Sequence, residues 1–339
     1  MAEMSAQLIL VDGIPGSGKS VVAQRIARRM RDADQPVRWW YEEELGHPIY
    51  LFSDAVTLQA VTNQLFSGAH QRVLNAAIDK WARFAAEAQH SGMTVVIDGT
   101  FFGYLTWTLH YLNRPVDEMG AYVRAIQNAL VPLSSRLIYL RQRDVAATIR
   151  NVLAIRGSSW AERTIHKAVD SPYGRAHGLE GSDGLIRFWS DYQSVQDRLF
   201  DAVWLPKLRV DVEVGGWAAA EATITAWLDL PPARTINSGN PGQFTGEYRA
   251  PGGGVAHVEE TDGALCIRGL DQVWPGQRLI AIASDRFEVL SLPFTLRFDA
   301  WGMTIEGPAL LGGRPPARLD RLGPTRVVAE TNAPSSGAN

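Results

Sequence analysis

The chain holds a single cysteine, Cys266, in 339 residues. That scarcity excludes an intramolecular disulfide and a multi-cysteine zinc site, and it fits a reducing compartment. Cys266 lies in the apolar run Ala264-Leu265-Cys266-Ile267 and reads as a small core residue rather than a nucleophile. No stretch reaches the roughly 18 apolar residues of a membrane span. Met1 to Gln7 also lack a basic segment followed by an apolar run. The expectation is a cytoplasmic protein with no membrane partner. Charge of one sign is not in excess either: 33 Lys and Arg stand against 36 Asp and Glu, a formal net charge of -3. No global basic field exists to hold nucleic acid, and none is expected as a partner. His47, His70, His90, His110, His166, His177 and His257 show no paired metal-ligand spacing, so no zinc site is assigned.

What remains is ordinary folded-protein material, 46% apolar and 20% charged, at a length that suits two domains. Leu8 to Val11 form a short apolar β-run that enters a glycine-rich turn, after which Val21, Val22, Ile26 and Met30 recur at helical spacing. Strands are expected again at Val37 to Tyr41, Thr94 to Ile97, Arg136 to Leu140 and Leu208 to Val212. Helices are expected over Thr57 to Gln89 with a break near Ser67-Gly68, and over Val116 to Leu130, Asp144 to Ala154, Leu185 to Val203 and Trp217 to Leu228. Strands alternating with helices predict a three-layer α/β/α domain around a mainly parallel five-stranded sheet, within residues 1–230. Residues 150–184, polar and rich in Arg, Lys and His, read as a mobile lid with one helical piece around Trp160 to Val169.

Pro, Gly, Asn and Ser dominate residues 231–243, which read as a linker. Short apolar runs separated by turn residues follow, predicting a small antiparallel all-β barrel or sandwich over residues 244–328. Residues 329–339 are Ser, Ala, Pro, Gly and Asn in the main and read as a disordered tail. The β-domain has three roles open to it: covering the substrate site, mediating a homodimer, or supporting the first domain.

Gly13-Ile14-Pro15-Gly16-Ser17-Gly18-Lys19-Ser20 matches the Walker A pattern in every fixed position, between a predicted strand and a predicted helix. Glycines let successive N–H groups turn inward toward phosphate oxygens, and the helix N-terminus adds partial positive charge. Gly13, Gly16, Ser17, Gly18, Lys19 and Ser20 are therefore the expected nucleotide-binding residues, with ATP and Mg²⁺ as cofactors. Lys19 is suited to the β- and γ-phosphates, and the hydroxyl of Ser20 to magnesium.

Asp98 closes the third predicted strand, where open parallel sheets present residues to ligands, and is the second magnesium candidate. Thr100 follows in the same region. Glu42, Glu43 and Glu44 come after the second strand at the same edge of the sheet. A solvated acidic helix start is the plain reading. The functional one gives Glu42 or Glu43 the proton of a substrate hydroxyl, with nearby aromatic rings packing on the substrate. Among the arginines of residues 141–175, Arg150 and Arg156 are the first candidates to stabilise charge on a transferring phosphoryl group. Trp81, Phe84, Trp107, Tyr111, Trp189 and Tyr192 recur at helical spacing and read as core.

In this order, the Walker A segment, the acidic end of strand two, Asp98 and the arginine-bearing segment resemble the nucleoside- and nucleotide-kinase-like branch of P-loop proteins, over about two thirds of the chain. Ile97-Asp98-Gly99 looks like the Asp-Gly that closes the third strand in adenylate kinases. A Glu just after strand two is similar to the general base of deoxynucleoside kinases, and Tyr139-Leu140-Arg141 looks like the lid entry of those and of thymidylate kinases. The sequence departs from these patterns after Gly99, where Thr-Phe-Phe follows, and in the wider spacing of its arginines. The resemblance implies strand order 2-3-1-4-5 and a phosphotransferase with a small-molecule hydroxyl acceptor, whether metabolite, nucleoside-like compound or antibiotic. A nucleotide-dependent switch or ATPase working through a protein partner is the alternative. The absence of an Asn-Lys-x-Asp base-reading motif weighs against it.

Overall fold

The computed structural model describes residues 7–322 except 214, 215, 235, 237–239 and 274. The predicted disordered tail and residues 323–328 of the β-domain lie outside the described residues, as does part of the predicted linker. Among the described residues no helix is long and apolar enough to cross a membrane.

Five strands, β1 (Gln7–Asp12), β2 (Val37–Trp40), β3 (Thr94–Asp98), β4 (Ser134–Gln142) and β5 (Lys207–Val212), form one sheet in the order β2-β3-β1-β4-β5. Every pairing in it is parallel. Central strands of such a sheet are covered on both faces, and β1 shows what that requires of a sequence. Leu8 and Leu10 enter one core while Ile9 and Val11 enter the other, so all four must be apolar. One face carries α1 (Lys19–Asp32) and α10 (Trp217–Leu228). The other carries α3 (His70–Ser91), α5 (Val116–Ala129) and α9 (Gly181–Ala202), with the fully buried Trp81 at its centre. The expected break near Ser67-Gly68 separates α2 (Ala55–Phe66) from α3, and Gly68 takes a positive φ there.

Two elements depart from expectation. The helix α4 (Leu105–Tyr111) follows the third strand where none was predicted. The predicted lid, residues 150–184, is helical through most of its length: the end of α6 (Val145–Arg156), then α7 (Ser158–Val169) and α8 (Pro172–Ala176). Ile149, Ala168, Leu179, Leu185 and Phe188 give it a small core of its own. Its polar composition reflects the exposed outer faces of short helices.

The second domain is a closed eight-stranded antiparallel barrel, resolving the choice between barrel and sandwich. It begins after a 3₁₀ turn at Pro241–Phe244 and comprises β6 (Gly246–Arg249), β7 (Val255–Thr261), β8 (Ala264–Arg268), β9 (Gln277–Ala281), β10 (Arg286–Val289), β11 (Thr295–Phe298), β12 (Gly302–Glu306) and β13 (Arg318–Arg321). The last strand was not predicted, yet it closes the barrel by pairing with β6 and removes the free edge. Cys266 is buried in the barrel wall, as its apolar neighbours implied.

The two domains share one core. The apolar face of the sheet under α1 continues into the barrel interior through residues such as Val289, Leu292 and Leu310. Gln24 on α1 is buried and makes three bonds across the junction. Its amide donates to the carbonyls of Val289 (2.8 Å) and Leu292 (3.1 Å), and its oxygen accepts from the N–H of Ser291 (2.8 Å). Buried Glu288 adds ion pairs to Arg31 (2.5 Å) and Arg28 (3.5 Å).

Candidate active site at the carboxyl edge of the sheet

In a parallel sheet the strand ends face one crevice, and here Asp12, Glu42 and Asp98 follow or close β1, β2 and β3 at that edge. The glycine-rich loop between β1 and α1 curls over it with Gly13, Gly16 and Gly18 all at positive φ. All three positions also forbid a side chain by contact: a Cβ on Gly13 would lie 2.6 Å from the carbonyl oxygen of Leu140. A Cβ on Gly16 would lie 2.5 Å from a methyl of Val152, and one on Gly18 would lie 1.9 Å from the ring of Trp217. The loop is thus held between α6 and the first residue of α10. Ser17 is fully buried, and its hydroxyl has no hydrogen-bond partner among the described residues.

Lys19, the first residue of α1, is nearly buried and its ammonium lies 3.2 Å from Oε2 of Glu42. Burial alone would lower its pKa, but the carboxylates of Glu42, Asp98 and Asp12 outweigh that and hold it above the usual lysine value. Ser20 donates its hydroxyl to Oδ2 of Asp98 at 2.5 Å, while the indole N–H of Trp39 donates to Oδ1 at 2.9 Å. Burial, with Glu42 nearby, pushes the Asp98 carboxyl up to about 7. Asp12 is fully buried and accepts from the N–H groups of Gly13 (2.9 Å) and Phe102 (2.8 Å); burial still pushes it up to about 6. It lies behind the loop and fixes its first turn.

The three glutamates have different surroundings. Glu44 is buried away from the site and paired with Arg38, and its segment is stitched to the barrel. Leu45 N–H donates to the carbonyl of Ala309, Leu311 N–H to that of Glu43, both at 2.9 Å, and Glu44 forms an antiparallel bridge with Leu310. The expected acidic helix start is therefore a turn clamped by the second domain. Glu42 and Glu43 face the crevice, and burial followed by the charge of Glu42 raises the pKa of Glu43. Gly99, at φ +67°, leaves room for Glu42 and Lys19: a Cβ there would lie 2.0 Å from Glu42 Oε2 and 2.6 Å from Lys19 Cε.

Two clefts meet at this point. The larger, about 510 Å³, runs from Gly16, Gly18 and Ser20 past Trp217 to the barrel residues Gln277 and Arg278. The smaller, about 220 Å³, opens on the other side of the loop and is lined by Glu43, Gly103, Trp107, Trp189, Tyr192 and Gln196. Lys19, Glu42 and Arg156 line both. Trp107 and Trp189 stack at 6.2 Å with their planes 16° apart, and the Lys167 ammonium lies 4.8 Å over the Trp107 ring.

Lys19, Ser20, Glu42, Glu43, Asp98 and Arg156 are thus brought together, as expected. Arg150 is not: it is exposed and lines neither cleft. Six residues along a helix are about 240° of rotation, so α6 cannot turn both arginines to one side. The guanidinium of Arg156 also lies 4.6 Å over the Trp160 ring. Thr100 is buried with its hydroxyl unpartnered and lines neither cleft. Tyr192 is core, as read, and Trp107 and Trp189 pack partly buried against that core; all three also line the smaller cleft. Sequence reasoning missed Asp12, Trp217 and the barrel residues altogether.

Among the described residues no group of three His, Cys, Asp or Glu side chains could hold a metal ion by itself. Magnesium on a phosphate chain needs only one or two protein oxygens, and Ser20 with Asp98 supplies such a pair. The residues fit it: the Ser20 hydroxyl and the Asp98 carboxylate are oxygen donors held 2.5 Å apart at the end of the phosphate loop. The chain matches no protein-family model, and no curated protein matches it.

Proposed function

We propose that the protein is an ATP- and Mg²⁺-dependent kinase that transfers the γ-phosphoryl group to a hydroxyl of a small molecule. The observation that carries this reading is the meeting of two clefts at Lys19 and Glu42. A site that only bound or hydrolysed nucleotide would have no need of a second, aromatic-lined chamber beyond the phosphate loop.

The residues divide the work. The N–H groups of Gly16 to Ser20 and the start of α1 bind the phosphates. Lys19 leaves Glu42 for the β- and γ-phosphate oxygens when these arrive, which frees the Glu42 carboxylate. Glu42 then accepts the acceptor's hydroxyl proton as that oxygen forms its bond to the γ-phosphorus; the bond from that phosphorus to the bridging oxygen breaks, and ADP leaves with the electron pair. Arg156 supplies positive charge for the equatorial oxygens. Magnesium held by Ser20 and Asp98 would neutralise charge on the β- and γ-phosphates. Trp107 and Trp189 offer flat apolar surface to the acceptor, and Glu43 a hydrogen-bond acceptor for its polar groups.

Incubation with ATP, Mg²⁺ and panels of sugars, nucleosides and aminoglycoside-like compounds tests the proposal. Transfer to one class supports it. Hydrolysis stimulated only by a protein partner would transfer the site to the switch reading.

A further inference from the structure

The far end of the larger cleft belongs to the second domain, and a phosphate loop does not need it. Gln277 and Arg278, which open β9, and Leu290 and Ser291, after β10, form its wall opposite Trp217. These residues are held together: Leu290 N–H donates to the carbonyl of Arg278 at 2.9 Å, and the Gln277 amide donates to the Ser291 hydroxyl at 2.9 Å. They are also held to α1, because the bonds of Gln24 go to Val289, Ser291 and Leu292 on either side of Leu290. Gln24 is in the helix that Lys19 begins, so the wall is indexed to the phosphate loop itself.

We propose that the barrel forms the nucleoside-binding wall of the nucleotide site, with Arg278 and Gln277 contacting the ribose and base of the bound nucleoside triphosphate. The proposal rests on the nucleotide reading of the Walker A segment. A triphosphate seated on Gly16 to Ser20 has its terminal phosphate at the Lys19–Glu42 junction, where the smaller cleft begins. Its nucleoside must then extend the other way, along Val21 and Trp217 toward the barrel. Trp217 provides an apolar, aromatic side for a base. The opposite side is polar, and Arg278 points outward from the barrel with no ion pair to any described residue. A flat donor group of this kind suits ribose hydroxyls and the acceptor edge of a base.

The test is equilibrium binding to the full chain of Mg-ATP and, separately, of Mg-tripolyphosphate, which has the phosphates and no nucleoside. Arg278 is exposed and has no ion pair with any described residue, so Arg278→Ala should fold; its melting temperature checks this, and Gln277→Ala gives a second, smaller truncation. Arg278→Ala should weaken ATP binding roughly tenfold, the scale of one hydrogen bond to a charged group, and leave tripolyphosphate binding unchanged. Lys19→Ala should weaken both ligands. ATP affinity unchanged in both barrel variants, or an equal loss for ATP and tripolyphosphate, would overturn the proposal. Wild-type protein that binds neither ligand would instead overturn the nucleotide reading beneath it.

Discussion

The ammonium of Lys19 lies 3.2 Å from the carboxylate of Glu42, at the point where the two clefts join. The pair ties the phosphate-binding residue to the proposed proton acceptor. Replacing Lys19 with Ala should reduce turnover roughly 100-fold or more, the loss expected when a charge that stabilises the transition state is removed. Steady-state kinetics with a found acceptor checks this, and the melting temperature checks that the variant is folded.

Glu42 and Glu44 are neighbours in sequence with opposite roles, and isosteric variants should separate them. Glu42→Gln should lower kcat roughly 100-fold with little change in the KM for ATP, because only the proton acceptor is lost. Glu44→Gln removes the charge of a carboxyl that burial raises in pKa despite its partly exposed partner Arg38, and should change the unfolding free energy by no more than about 1 kcal/mol. Turnover in folded Glu44→Gln should stay within a few-fold. Equal catalytic loss in the two would argue against a proton-accepting role for Glu42.

Gly99→Ala forces a side chain against both Glu42 and Lys19 at a backbone angle that L residues resist. It should destabilise by about 1–2 kcal/mol from the backbone alone and depress kcat further by displacing the pair. Urea denaturation and kinetics on the same preparation read both effects.

The raised carboxyl of Asp98, about 7 in the fold against an ordinary value of 3.8, gives a signed pH dependence. Between those values the folded state binds more protons at this site than the unfolded state. Its contribution to stability therefore falls as pH rises through that window. In metal-free protein, Asp98→Asn should become more stable relative to wild type from about pH 4 to about pH 7. Magnesium must displace that proton, so its stabilisation of wild-type protein should grow as pH passes 7. Thermal melts with and without Mg²⁺ across pH test both signs.

Gln24→Leu would leave the carbonyl of Leu292 and the N–H of Ser291 without these partners at a buried junction, and would take one of two donors from the carbonyl of Val289. The expected cost is about 3 kcal/mol. A single transition lowered as a whole would show that the two domains unfold together; an unaltered midpoint would mean that the junction contributes nothing.

Much of the fold was legible because each element could be recognised from its own residues. The period of β1, the glycines at 13, 16 and 18, and Asp98 at a strand end are local signals. Features set by distant residues were not legible. Nothing near Glu44 tells that Arg38 and the Ala309–Leu311 segment bury it while Glu42 and Glu43 stay in the crevice. Trp107 and Trp189 recur at the spacing of core residues, and rings lining a cleft on a helix have that spacing too. Arg150 and Arg156 share the helix that follows β4, and their separation along α6 puts them on different sides of it. The strand β13 was missed because Leu319 is the one apolar residue of Arg318–Arg321; its partner β6 supplies the reason for it to be extended. Trp217 reads from sequence only as the start of a helix, and its contact with Gly18 depends on where α10 returns to the sheet.

The most direct test of phosphoryl transfer is mass spectrometry of a small-molecule extract incubated with the protein, Mg²⁺ and ATP carrying ¹⁸O in its γ-phosphoryl group. The account predicts one acceptor class that gains a labelled phosphoryl group with wild-type protein and gains none with Lys19→Ala. Label appearing only in inorganic phosphate, at the same rate with and without the extract, would contradict it.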